Sequence, residues 1–178
     1  LGINMVRIHG GMFDRKGNDP TVIDHSHLEK FHHVVQVLKQ HGIYTHVSHF
    51  FPLWMQLKAS DGIAVSALGK HPFTLPYFEP RMQEIYRDWV KQILTTKING
   101  KALIDEPAVA CVEIINEDSL FFWTFSATSI GDGPLATLEK QYAEWLTQKY
   151  GNLDKAFAAW GKEHHLRDSV VTERAALL

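Results

Sequence analysis

Three short β-branched runs, too far apart in the chain for hairpins, set the fold class. They are Ile3 to His9, Ile43 to His49 and Val109 to Glu117. Stretches of helical periodicity separate them. After the first run, Ser26 and Glu29 match a capping box. Leu28, Phe31, Val35 and Leu38 then recur as an apolar stripe, and Gly42 stands where a helix C-cap belongs. Before the third run, Arg81 to Lys97 carries Met82, Ile85, Trp89 and Ile93 on one helical face. Strand, helix, strand, helix, strand is the pattern of right-handed βαβ crossovers and a parallel sheet. Val109–Glu117 is apolar on both faces, so it is expected to be covered on both sides.

The rest of the chain is less regular. Gly10-Gly11 ends the first run, and Gly17-Asn18-Asp19-Pro20 reads as a loop. Phe50 to Pro80 loses periodicity, and a loop of that length is usually functional or carries short structure of its own. Gly131-Asp132-Gly133-Pro134 reads as a turn before a helix ending near Tyr150-Gly151. A shorter helix spans Leu153 to Trp160, and the tail from Gly161 reads as loop or a frayed end. The chain opens in Leu-Gly-Ile-Asn without an initiator Met, as expected of an interior piece of something longer.

Net charge is -2 with histidines neutral, which gives no basic surface for nucleic acid or an anionic membrane. No apolar run is long enough to span a bilayer. Cys111 is the single cysteine and cannot form an internal disulfide.

Strand side chains alternate. Met5, Arg7 and His9 are therefore expected on one face of the first run. In the third run Cys111, Glu113, Ile115 and Glu117 share one face, and Ala110, Val112, Ile114 and Asn116 the other. A carboxylate at the carboxyl end of such a strand stands where α/β folds place their chemistry, which makes Glu117 the central candidate.

Glu113-Ile114-Ile115-Asn116-Glu117 resembles the Glu-x-x-Asn-Glu signature at the end of the fourth strand in retaining (β/α)8 glycoside hydrolases, the clan of cellulases, mannanases and β-galactosidases. Asn4 to His9 is similar to the clan's second strand, where an Arg supports the nucleophile, and Arg7 matches. Ile43 to His49 is similar to the third, which often ends in a substrate-facing His; His49 matches first and His46 second. Trp145 through Trp160 also looks like a segment common after the fourth strand. Many members have Pro after Asn-Glu; this chain has Asp118.

The resemblance implies a fold: residues 1–178 as a fragment of a single TIM-barrel catalytic domain, a partial (β/α)8 barrel with about strands 2 to 4 and their helices. It implies hydrolysis of O-glycosidic bonds of a poly- or oligosaccharide by double displacement. Glu117 would be the general acid/base, and Asn116 would hydrogen-bond the sugar 2-hydroxyl. The nucleophile would lie on a seventh strand outside this chain, so the fragment alone is expected to be inactive. His9, Trp54 and Trp123 join as substrate contacts, the tryptophans by stacking on sugar faces. No metal or organic cofactor is implied. The partner is a carbohydrate substrate, with no nucleic acid and no membrane, and an extracellular or periplasmic setting fits the clan.

Two other readings use the same residues. His9, His46 and His49 with Glu117 could form the metal site of a hydrolase of the same barrel shape. Trp54 and Trp123 without chemistry would make a carbohydrate-binding remnant. Elsewhere structural roles are expected. Glu113 reads as a buried structural carboxylate paired with Arg7 or a His. His25, His27, His32, His33, His41, His164 and His165 read as solvated surface, and Trp89, Trp145 and Trp160 as packing. Burial of Glu117 among Phe121 and Trp123 is expected to raise its pKa.

Overall fold

The computed structural model describes residues 2–14, 19–161 and 164–176. β1 (Met5–His9) is followed by a small antiparallel ribbon of β2 (Phe13–Asp14) and β3 (Asp19–Ile23). Asp19 and Pro20, read from sequence as loop, thus begin a strand; Gly17 and Asn18 lie outside the described residues. α1 (His25–Gln40) starts two residues earlier than the capping-box reading. Its N-cap is Asp24, whose carboxylate accepts from the His27 N–H at 3.0 Å.

β4 (Tyr44–Ser48) follows, and then the aperiodic stretch. That stretch holds three short 3₁₀ turns, Pro52–Trp54, Ala59–Asp61 and Val65–Ala67, before α2 (Leu75–Phe78) and α3 (Pro80–Thr95). α3 begins on a proline, whose fixed φ suits a first helical turn. β5 (Val109–Glu113), α4 (Asp132–Tyr150) and α5 (Leu153–Ala159) complete the described elements. The glycine turn is absorbed into α4. Gly131 has φ +86° and presses against the Ser66 carbonyl, where a Cβ would not fit.

β1, β4 and β5 pair in parallel in that spatial order, as the crossover pattern predicted. One face of the sheet is covered. Thr45 and Val47 are fully enclosed, and Val47 shares a core with Leu28, Phe31 and Val35 of α1 and with Met82, Ile85, Trp89 and Ile93 of α3. The other face is open, with Met5, Arg7, His9, Tyr44 and Cys111 exposed. Between β4 and β5 the register slips. Thr45 is opposite Val109 but His46 is opposite Cys111, so Ala110 is supernumerary, and both Ala110 and Cys111 are exposed.

Two expectations fail here. β5 is not covered on both sides: it is an edge strand, and Ala110, Cys111 and Val112 are all exposed. Nor is there a barrel, partial or otherwise. A barrel needs every strand edge paired. The described residues form an open three-stranded sheet whose outer strands each lack a second neighbour, in a mixed α/β arrangement. Alternation of strands and helices is common to open and closed sheets, so it never distinguished them.

Of the two readings of the tail, its described residues are loop rather than a frayed end. Ala175 packs with Ala143, Leu146, Leu153, Ala156 and Phe157 in a second apolar cluster. Trp89 and His32 are both buried; the first was expected in the core, the second on the surface. Trp145 lies at the surface, stacked on Tyr142 with the Lys149 ammonium over its ring.

Glu106 ties the base of β5 to α1. Its buried carboxylate accepts from Lys39 (2.8 Å), Lys101 (2.9 Å), Gln36 (2.8 Å) and the Ala108 N–H (3.0 Å). Burial alone would push its pKa up, but these donors outweigh burial and hold it well below the usual carboxylate range. A depressed folded-state pKa supplies stability above the unfolded value and loses it as pH falls. The wild type should therefore weaken progressively below about pH 4.5. Glu106→Gln should have a lower urea midpoint at pH 7 and a smaller further drop by pH 3. Parallel midpoint curves for the two proteins would contradict this.

Candidate active site

Parallel pairing sets His9 opposite Ser48 and Ser48 opposite Glu113, so one row of side chains crosses the open face. Arg7 closes over that row. Its Nη2 donates to Glu113 Oε2 (2.7 Å), to Asn116 Oδ1 (2.6 Å) and to Ser48 Oγ (3.1 Å). Glu113 is thus paired with Arg7, as the sequence suggested, but it is half-buried rather than buried. Burial raises its pKa, but Ser48 and Arg7 donate to it and bring it below the ordinary value, so it is ionised at neutral pH.

The Ser48 hydroxyl donates its proton to Glu113, which assigns the next proton along. His9 Nδ1 lies 2.7 Å from Ser48 Oγ and must be the donor there. The 3.4 Å approach of Arg7 to the same nitrogen is then a contact between two donors. Partial burial and the nearby Arg7 charge lower the His9 pKa, against Glu113 and Glu117, which raise it. At pH 7 His9 is accordingly neutral, with its proton on Nδ1. Its ring lies on Trp54, centroids 4.5 Å apart.

Alternation predicted Glu113 and Asn116 on opposite faces, yet both meet one guanidinium. The reason is that β5 ends at Glu113. Ile114 to Asn116 form a bend, pinned by the Tyr86 hydroxyl on the Ile114 carbonyl (2.5 Å) and by the Asn116 N–H on the Phe50 carbonyl (2.9 Å). Asn116 is buried, and because its Oδ1 is taken by Arg7 its Nδ2 remains the donor end.

Glu117 follows with φ +46°, a left-handed conformation uncommon for a residue with a side chain. Its carboxylate accepts no hydrogen bond from the described residues. The aromatic enclosure expected for it is not there: Glu117 is exposed, as are Phe121 (84%) and Trp123 (65%).

The remaining predicted residues separate. Trp54 belongs to the cluster through His9. Trp123 reaches it only through other rings: Phe51 meets both His9 (5.9 Å) and Trp54 (5.7 Å), Phe73 meets Phe51 (6.2 Å), and Trp123 meets Phe73 (5.7 Å). His46 is half-buried in β4, on the Arg7 face. His49 does not face a substrate. It is fully enclosed, its ring 6.4 Å from that of Tyr86, and neither ring nitrogen has a partner among the described residues. Burial, opposed by Glu113, lowers its pKa to about 4, so it is neutral at pH 7. Ser48 was missed, although alternation along the second run places it on the same face as His46. Asp118 was noted only as a departure from the clan's pattern.

A cavity of about 560 Å³ opens between α1 and the Asn99-Gly100 turn, lined by Glu29, His32, Lys97 and Lys101 among others. It shares no residue with this cluster. The converging Arg7, Glu113, Ser48, His9 and Asn116 side chains make the open face the better candidate despite its lack of depth. Among the described residues no three His, Cys, Asp or Glu side chains gather closely enough to hold a metal ion, so the proposed His9, His46, His49 and Glu117 set is not assembled. No described helix is long and apolar enough to cross a membrane. No protein-family model matches the chain, and no curated protein matches it.

Proposed function

We propose that the protein is a hydrolase acting on carbohydrate. More narrowly, it is a retaining glycoside hydrolase in which Glu117 is the general acid/base. The observation that carries this reading is the single guanidinium of Arg7 gathering Glu113 and Asn116, with Glu117 the next residue in the chain. Arg7 orders the polar end of the sheet. Asn116 is turned with its amide N–H₂ free to donate to a sugar hydroxyl. The His9 and Trp54 rings lie beside it, tilted by 48° to one another, and Trp123 stands exposed further out, beyond Phe51 and Phe73.

Glu117 protonates the glycosidic oxygen as the bond breaks, then removes a proton from the incoming water. A second carboxyl group attacks the anomeric carbon, and in this reading it comes from outside the chain. Glu113 is already committed to Arg7 and Ser48 and is unsuited to the role.

The test is hydrolysis of a panel of polysaccharides and aryl glycosides by the protein that carries this chain. The first-formed product should keep the anomeric configuration of the substrate by NMR. Inversion, or no hydrolysis with saccharide binding retained, would overturn the proposal; the second result would favour a binding role. Trp54→Ala should weaken oligosaccharide binding by about tenfold, as loss of a ring contact of 1–1.5 kcal/mol does. Calorimetric titration with an oligosaccharide checks it.

A further inference from the structure

We propose that Asp118 is a positioning residue for Glu117, a side-chain clamp that holds the neighbouring left-handed backbone in place. The inference rests on the acid/base role proposed for Glu117. Two residues with side chains stand at positive φ on either side of this clamp, Glu117 at +46° and Thr74 at +62°. Such conformations persist only where the surroundings over-determine them. The Asp118 carboxylate joins the two. Oδ2 accepts from the Thr74 N–H at 2.7 Å, and Oδ1 accepts from the Thr124 hydroxyl at 2.8 Å. The Asp118 carbonyl accepts from the Tyr77 hydroxyl at 2.6 Å. Thr74 is fully enclosed and Thr124 nearly so, so these are interior attachments.

On the other flank, Asn116 is held by the Phe50 carbonyl and by Arg7. The chain is therefore fastened immediately before and immediately after Glu117, while the Glu117 carboxylate accepts no hydrogen bond from the described residues. That division suits a group that must give up a proton and then take one. A strong hydrogen bond to the carboxylate would bias it toward one state, whereas fixing the backbone orients it without cost to either. Burial pushes the Asp118 pKa up while Thr74 and Thr124 oppose it, as expected of a carboxyl enclosed among its own donors.

The test compares Asp118→Ala, Asp118→Asn and Glu117→Gln in the protein that carries this chain. Each is assayed on a natural glycan, whose leaving group needs a proton, and on an aryl glycoside, whose leaving group does not. Asp118→Ala should lower glycan kcat about a hundredfold, the cost of a misplaced catalytic group. KM should stay within about threefold, and aryl glycoside turnover should change little. Asp118→Asn keeps the Thr74 N–H contact through its amide oxygen and turns its N–H₂ to the Thr124 hydroxyl, which can accept instead, so it should recover most of the loss. Should Asp118→Ala fail to fold, Thr124→Val removes one contact and should show a smaller loss with the same substrate pattern. Equal losses on both substrates, or none, would overturn the clamp alone. Full glycan activity in Glu117→Gln would overturn the acid/base reading and the clamp with it.

Discussion

Glu117→Gln should lower turnover of natural glycans by about 10²–10⁴-fold, the usual contribution of a positioned proton donor, if the proposed acid/base role holds. The amide has the shape of the carboxyl but no proton to give, so an alkoxide-like leaving group departs unassisted. Aryl glycosides carrying stable phenolate leaving groups should lose far less in the step that expels them. KM for the glycan should hardly move, because the exposed side chain makes no hydrogen bond that the amide would forfeit. The same exposure makes the variant clean to interpret. Gln carries the same Cβ as Glu into the left-handed φ of +46° and replaces an exposed side chain of equal size, so stability should shift by less than about 0.5 kcal/mol and lost activity would not be assigned to unfolding. Steady-state kinetics on the two substrate types, with a thermal melt alongside, decide it. Unchanged rates on both substrates would refute the role.

Glu139→Ala should cost about 3–5 kcal/mol of stability, the penalty for breaking a buried ionic cluster from one side. Glu139 is fully enclosed on α4, where its carboxylate meets both Arg167 and Arg174, the latter also through Nε at 2.9 Å. Its removal leaves two guanidinium groups without their shared counter-charge beside the apolar cluster of α4, α5 and Ala175. What then holds the tail to α4 is the packing of Ala175 and its N–H on the Glu139 carbonyl (3.2 Å), so the tail should loosen before the sheet melts. Limited proteolysis should cut within residues 164–176 of the variant and spare the wild type, and the urea midpoint should fall. An unaltered digestion pattern would show that the apolar contacts of Ala175 suffice alone.

The contrast between these two glutamates shows what the sequence could and could not disclose. Glu117 was legible because an apolar run ended abruptly in Asn-Glu, and a carboxylate there invites a chemical reading whatever surrounds it. The pairing of Arg7 with Glu113 was legible because a charge within a strand needs a counter-charge. Glu139 was not legible. In a helix of mixed charge it looks like any solvated residue, and its partners lie 28 and 35 positions further on, in a tail with no periodicity. His49 failed in the opposite sense: its place at a strand end suggested a ligand contact, but the chain turns inward after Ser48 and encloses it. The parallel sheet followed from the spacing of the apolar runs. Its openness did not, because helices covering one face leave the same periodic mark as helices around a closed ring of strands.

The extra residue at Ala110 governs more than its own neighbourhood. Side chains reverse at each step of a strand, so a single supernumerary position inverts the parity of everything beyond it. Val109 packs into the core, and by uninterrupted counting Glu113 would have followed it beneath the helices, an anion with no counter-ion. The slip turns Glu113 outward instead, onto the row where Arg7 and Ser48 await it. The number of residues between Val109 and Glu113 is thus as strict a requirement as their identities, and a one-codon insertion or deletion there should be harder to tolerate than most substitutions.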